Sequence, residues 1–193
     1  MNNVRYIWPG SAVFVRLLLL LLLMLSLQPA LAQKFISKSS TVTFFSEAPL
    51  ENIEAINSEA NSIFDLSTGE IVFSVPIREF QFEKSLMKQH FNENYMDTEI
   101  YPKSTFKGKV TGYRQQPGQY QATATGELFI HGKTRNVQVE GSVEIGQDEL
   151  SLSAVFPVEL KDYEIKIPRI LFSNIAESVE VNIQFVYKPY GTN

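Results

Sequence analysis

The chain has 193 residues, 44% of them hydrophobic, and its 17 Lys and Arg against 21 Asp and Glu give a net charge of −4. That balance disfavours nucleic acid and anionic membrane surfaces, both of which are bound through excess positive charge. With no cysteine the protein has no disulfides and no thiol chemistry, so it must hold together by burial and hydrogen bonding alone.

Arg5 and Arg16 precede residues 17–25, a leucine run with one Met, and Pro29-Ala30-Leu31-Ala32 then places small residues where a signal peptidase needs them. The pattern is that of a cleaved secretory signal. A membrane anchor needs about 20 apolar residues to cross the hydrocarbon core, and residues 13–27 fall short of that and contain Arg16. Cleavage is expected after Ala32, so that residues 1–32 are signal peptide and Gln33 is the new terminus. No Cys follows the cleavage site to carry a lipid anchor, and no later segment is apolar enough to span a bilayer. The expected location is periplasmic or secreted. Residues 33–193 number 161, enough for one domain with a full core, and losing Arg5 and Arg16 leaves 15 basic against 21 acidic residues, or −6.

From Lys38 onward the dominant pattern is period-two alternation. In 120–130, Tyr120, Ala122, Ala124, Gly126, Leu128 and Ile130 share one face while Gln121, Thr123, Thr125 and Glu127 share the other. The same split runs through Val137, Val139, Val143 and Ile145, through Leu150, Leu152, Ala154, Phe156, Val158 and Leu160, and through Val179, Val181, Ile183 and Phe185. Antiparallel sheets with one solvated face read this way, whereas buried parallel strands read as continuous apolar runs. Turn residues at Ser67-Thr68-Gly69, Gln116-Pro117-Gly118, His131-Gly132-Lys133 and Gly146-Gln147-Asp148 separate the runs. Strands are expected at 39–46, 70–80, 104–113, 120–130, 134–145, 149–160 and 178–187, while 53–65 reads either as a strand or, over 51–60, as the start of a helix.

One stretch has a different period. Phe82, Leu86, Met87, His90 and Phe91 recur at three- and four-residue spacings, which puts them on one face of a short helix. Tyr101-Pro102 stops its continuation, because the residue before proline is driven to an extended conformation.

His90-Phe91-Asn92-Glu93-Asn94-Tyr95-Met96, Tyr101-Pro102-Lys103-Ser104-Thr105-Phe106-Lys107-Gly108 and Gly126-Glu127-Leu128-Phe129-Ile130-His131-Gly132-Lys133-Thr134 occur in that order. Together they resemble the YceI-like family of lipid- and polyisoprenoid-binding proteins, over about 38–187. Two features depart from the family pattern: its usual Arg-Asp before the helix is replaced by Arg78-Glu79, and its Gly-rich second strand by Glu54-Ala55-Ile56-Asn57-Ser58-Glu59-Ala60. The family's order of elements makes 53–65 a strand, for eight in all.

Eight amphipathic antiparallel strands joined mostly by short turns hide their apolar faces, and lose both edges, by closing on themselves. The expected fold is therefore all-β, an eight-stranded antiparallel up-and-down barrel with one short helix, and the resemblance implies the same lipocalin-like barrel with the helix near one end. A barrel of this size is either just filled by side chains or holds one small ligand. Ala122, Ala124, Gly126, Gly141 and Ala154 on the inward faces leave room, or else relieve crowding where strands coil. The resemblance favours a ligand, and apolar walls favour a long isoprenoid or acyl chain, which gains about 0.8 kcal/mol per buried methylene. The expected wall is Phe44, Phe73, Val75, Phe106, Val110, Leu128, Val137, Val139, Leu152, Phe156, Val181, Ile183 and Phe185, with Leu86, Met87 and Phe91 as a lid or as a helix face packed on the rim.

Other chemistry is poorly supported by the residues. Gly126 to Thr134 has five residues between Gly126 and Gly132 where a phosphate loop needs four, and its Leu128-Phe129-Ile130 is a strand former. His90, Glu93 and Asp97 read as a solvated helix face, since a metal site needs three or four converging ligands. There is no Cys nucleophile, no Gly-x-Ser-x-Gly elbow and no Ser, His and Asp constellation. Lys107, Lys109, Lys133 and Arg135 read as outward strand charge. The expectation is a non-enzymatic binding protein without cofactor or metal, as a monomer or a homodimer, and the alternative is a structural or stress-related interaction module with a solid barrel core.

Overall fold

The computed structural model describes Arg16 and residues 34–47, 52–147, 149–166 and 177–191. The chain divides into two units, Met1–Leu31 and Ala32–Asn193. Apart from Arg16 the expected signal segment lies outside the described residues, as does Asp148 of the last expected turn.

The second unit is a closed antiparallel barrel. Its strands are β1 (Lys34–Ser46), β2 (Ile53–Asn57), β3 (Asn61–Asp65), β4 (Glu70–Pro76), β5 (Gln81–Phe82), β6 (Lys103–Thr111), β7 (Gly118–Ile130), β8 (Lys133–Ile145), β9 (Leu150–Glu159) and β10 (Ser178–Pro189). From β4 onward each long strand pairs with the next, and pairing of β10 with β1 closes the ring. Ten strands fill eight positions. β2 and β3 both pair with β1 in one register, Phe44↔Ala55 and Phe35↔Phe64, so the expected strand 53–65 exists but is broken at 58–60. β4 and β5 share the next position, interrupted by a 3₁₀ turn at Ile77–Glu79.

The break has a local cause. Asn57 is fully buried, and its side chain donates to the Pro76 carbonyl at 2.7 Å and accepts from the Glu59 N–H at 2.8 Å, in place of ladder bonds. Ser40 on β1 donates to the Ala60 carbonyl at 2.7 Å, which anchors the far side. On its other edge β1 slips against β10 between Ser37 and Ser39. That bulge changes which residues face inward, from Phe35 before it to Ser40 and Val42 after it.

The helix α1 (Ser85–His90) continues as one π-helical turn over Phe91–Tyr95. Its start differs from the expected periodicity. Lys84 is extended, with φ −105° and ψ 123°, so Phe82 belongs to β5 and the half-buried face of the helical segment includes Met87, Phe91 and Tyr95. Leu86 is 61% exposed on the opposite side.

The barrel end away from α1 is solid. Phe64, Leu150 and Tyr187 are at most 1% exposed there. The Tyr187 hydroxyl donates to Ser62 Oγ at 2.7 Å, which passes the bond on to the Val72 carbonyl at 3.0 Å. Burial drives this phenol far above its ordinary range even though the Ser62 bond acts the other way. The Tyr113 hydroxyl donates to the Leu66 carbonyl at 2.9 Å and holds the β3–β4 turn against the core.

In that turn Asp65 Oδ1 accepts from the Ser67 hydroxyl and from the N–H groups of Ser67 at 2.9 Å and Thr68 at 3.1 Å. The Ser67 hydroxyl above all holds the carboxyl below its usual range, against the opposing effect of burial. A depressed folded-state value means a stabilisation that is present above the ordinary carboxylate range and lost as pH falls through the folded value. Asp65→Asn is expected to lower stability by about 1 kcal/mol at neutral pH, with thermal melts of the two proteins converging as the pH is lowered through the carboxylate range; a difference that persists in acid would show that the charge is not the cause.

Candidate functional site

Among the described residues, two cavities lie along the barrel axis. The larger, about 160 Å³, occupies the half nearest α1 and exposes only apolar atoms. Its walls are Val42 and Phe44 of β1, Ile53 of β2, Phe73 and Val75 of β4, Leu128 and Ile130 of β7, Phe156 and Val158 of β9, and Val179, Val181 and Ile183 of β10. Phe80, Phe82, Met87, Phe91, Tyr95 and Met96 form its cap on one side, and Leu160 and Ile165 border it on the other. The cap is an aromatic cluster: Phe44 stacks on Phe91 with centroids 5.4 Å apart, and Phe80 and Phe82 meet both rings at 5.0 to 5.8 Å. Burial pushes the Tyr95 phenol above its ordinary range, so it borders the cavity as a neutral group.

The smaller cavity, about 60 Å³, lies deeper in the barrel, between Ile71, Phe73, Phe106, Val110, Leu152, Ile183 and Phe185 and the small residues Ala122, Ala124, Gly141 and Ala154. Ala122, Gly141 and Ala154 are register neighbours on β7, β8 and β9, and Ala154 pairs with Ile183 of β10. Gly126 plays a different part. It faces Gly108 across β6 and β7, and a Cβ on it would stand 2.4 Å from the Lys107 carbonyl oxygen and 2.5 Å from the Gly108 Cα. The two strands approach so closely there that only glycine fits, and the Phe106 ring covers the site.

The expected wall residues therefore separate into groups. Phe44, Phe73, Val75, Met87, Phe91, Leu128, Phe156, Val181 and Ile183 line the larger cavity. Phe106, Val110, Val139, Leu152 and Phe185 line the smaller one. Val137 is half-buried against the core and lines neither cavity, and Leu86 faces solvent. Sequence reasoning did not include Ile77, Phe80, Tyr95, Met96 or Ile165 in the wall, since they sit on turns, on the helical segment or at strand ends outside the alternation, and it left out Leu160 although that residue ends the alternating run from Leu150. The strand residues Val42, Ile130, Val158 and Val179 carried the inward signal and were equally legible.

Beside the cap, His131 joins three segments. It sits in the β7–β8 turn, where His131 and Gly132 both have positive φ, 48° and 75°, as a two-residue hairpin of this hand requires. Its Nδ1 lies 3.1 Å from the Tyr163 carbonyl, its Nε2 lies 3.3 Å from Asp97 Oδ2, and the Tyr101 ring packs edge-on at 4.8 Å. Lys133 pairs with Glu164 at 2.9 Å on the same side. Asp97 is thus drawn to His131 and away from Glu93, which accepts from Gln89 at 3.2 Å. Among the described residues no group of three or more His, Asp and Glu could hold a metal ion, and no helix is long and apolar enough to cross a membrane.

A closed antiparallel barrel with an apolar cavity under a short helical cap is consistent with a protein that binds an apolar ligand. Residues 34–187 match the YceI-like domain, and the chain belongs to the YceI-like family. Among solved structures it resembles Burkholderia cenocepacia BcnA, with 19% identity, a TM-score of 0.64, and 76% of this chain and 95% of that one covered. A polyisoprenoid binding domain from Saccharophagus degradans, described as implicated in plant cell wall breakdown, aligns at 11% identity with a TM-score of 0.70, covering 80% and 98%. The YceI protein of Campylobacter jejuni aligns at 15% identity with a TM-score of 0.51, covering 86% and 89%. Among curated proteins no sequence matches the chain.

Proposed function

We propose that this protein is an exported, non-enzymatic binding protein that stores or carries a long-chain apolar lipid, isoprenoid or acyl, with the end of its tail inside the barrel. The observation that carries the reading is the cavity of about 160 Å³ whose surface is apolar throughout. Such a wall rewards methylenes at about 0.8 kcal/mol each, and although Ser46, Ser104 and Tyr95 border it, no polar atom is exposed on its surface to meet a polar head. The tail therefore enters and the head group stays outside. Membership of the YceI-like family, the likeness to a domain described as polyisoprenoid binding, and the Arg5, Arg16 and leucine pattern at the N-terminus support the same reading. Release into the periplasm or the medium follows from cleavage after Ala32.

The test is native mass spectrometry of the protein purified from its own host, with solvent extraction of what accompanies it. A stoichiometric adduct of isoprenoid or acyl mass is expected. Adding that lipid to stripped protein at about 100 times its dissociation constant is expected to stabilise the fold by about 2.7 kcal/mol in a thermal melt. A bare protein mass, with no shift on adding long-chain quinones, polyprenyl phosphates or fatty acids, would overturn the proposal.

A further inference from the structure

The two cavities share only two lining residues, Phe73 and Ile183. Phe73 is 8% exposed and stacks on Phe106 with centroids 5.2 Å apart and planes at 20°, while Phe185 tilts against it at 5.8 Å. Phe73 stands between the two cavities, with the Phe106 and Phe185 rings packed against it on the side of the smaller one. This placement limits what the interior can take. The larger cavity is comparable in size with an engineered apolar cavity of about 150 Å³ that binds one benzene, so it holds only a short length of chain. The space beyond Phe73 is mostly apolar, with Ser142 and Ser153 on its wall, and its far end is the solid region around Phe64 and Tyr187.

Resting on the binding reading above, we propose that Phe73 is a specificity-determining residue: its ring stops the tail at the larger cavity and so sets the chain length the barrel measures. The smaller cavity is the space that becomes available when that ring is reduced or turned aside. Phe73 is suited to this because it is the aromatic residue that touches both spaces, whereas Phe106 and Phe185 border only the deeper one.

The experiment is titration calorimetry of the full chain with straight-chain alcohols of increasing length. For the natural sequence affinity is expected to rise about fourfold per added methylene until the chain end meets Phe73, and then to level off. Phe73→Ala is expected to move that break to a chain at least about two methylenes longer, so that the longest alcohols bind more than tenfold tighter than they bind the natural protein. Phe73→Leu, which keeps most of the packing, is expected to shift the break in the same direction and serves if the alanine variant does not fold. Adding Ala122→Val to Phe73→Leu narrows the deeper cavity and is expected to restore the original break. Binding with the break at the same length in all variants would overturn the role of Phe73 and leave the carrier reading intact. No binding of any alcohol to any of them would overturn both.

Discussion

Val181→Phe is expected to weaken binding of a long-chain lipid about a hundredfold while leaving the melting temperature unchanged or higher. Val181 lines the larger cavity near the start of β10. Its register neighbours are Phe44 of β1 and Phe156 of β9, both of which line the same space. A valine between two phenylalanines is where this part of the wall is thinnest, and a third ring there would project into the void. Excluding about four methylenes of a guest forfeits about 3 kcal/mol, which is roughly a hundredfold in dissociation constant. The added ring meanwhile buries its own apolar surface in space that is already dry. Thermal melts and a binding titration separate the two effects: unchanged affinity would mean that the tail does not occupy this cavity, and a large loss of stability would mean that the space is too narrow for the ring.

Phe64→Ala is expected to destabilise the fold by about 3 to 5 kcal/mol, the cost of deleting a buried phenylalanine whose surroundings cannot collapse. For a domain of this size that is on the order of 10 °C in melting temperature. Phe64 is fully buried, lines neither cavity, and packs against Tyr113 at 5.8 Å and Tyr187 at 6.2 Å. Phe44→Ala at the other end is expected to cost clearly less, because that ring is only half-buried and already borders a void. Chemical denaturation of the two variants measures the contrast. Equal losses would contradict the division of the barrel into one solid and one hollow end.

This division matters for function because the two ends have different physical tasks. The solid end ties β10 to β3 through the Tyr187–Ser62 hydrogen bond and braces the β3–β4 turn through Asp65. The hollow end carries packing defects that a ligand would fill, under a cap whose contacts are mostly ring against ring. Such contacts are non-directional and can be remade around a guest, whereas the hydrogen-bonded end would lose specific partners if it opened.

Much of this was legible in the amino-acid order. Alternation in 120–130 and 178–187 assigned inward and outward faces correctly, because a strand turns its side chains by half a revolution per residue whatever surrounds it. The three motifs around His90, Tyr101 and Gly126 pointed to the family, and the charge balance and the absence of cysteine restricted the chemistry. The helix face was only partly legible, since periodicity alone did not show that Lys84 is extended and that Leu86 therefore turns to solvent.

Other features were decided by tertiary structure alone. Period-two patterning says which side chains enter the barrel but not how deep each one lies or what it meets across the axis. Those depend on the register accumulated around the closed ring and on how tightly each pair of strands coils. Gly126 and Gly141 look alike in sequence, and at each a Cβ would run into a neighbouring strand's carbonyl oxygen, at 2.4 and 2.3 Å, yet only Gly141 also borders a cavity. Phe73 and Phe64 look alike as well, yet one divides two cavities and the other is locked in a solid core. The sequence by itself determined that a closed, apolar-lined barrel would form. Where that barrel is hollow was decided by packing across the axis, because a void is a property of all the facing side chains at once and of no single strand.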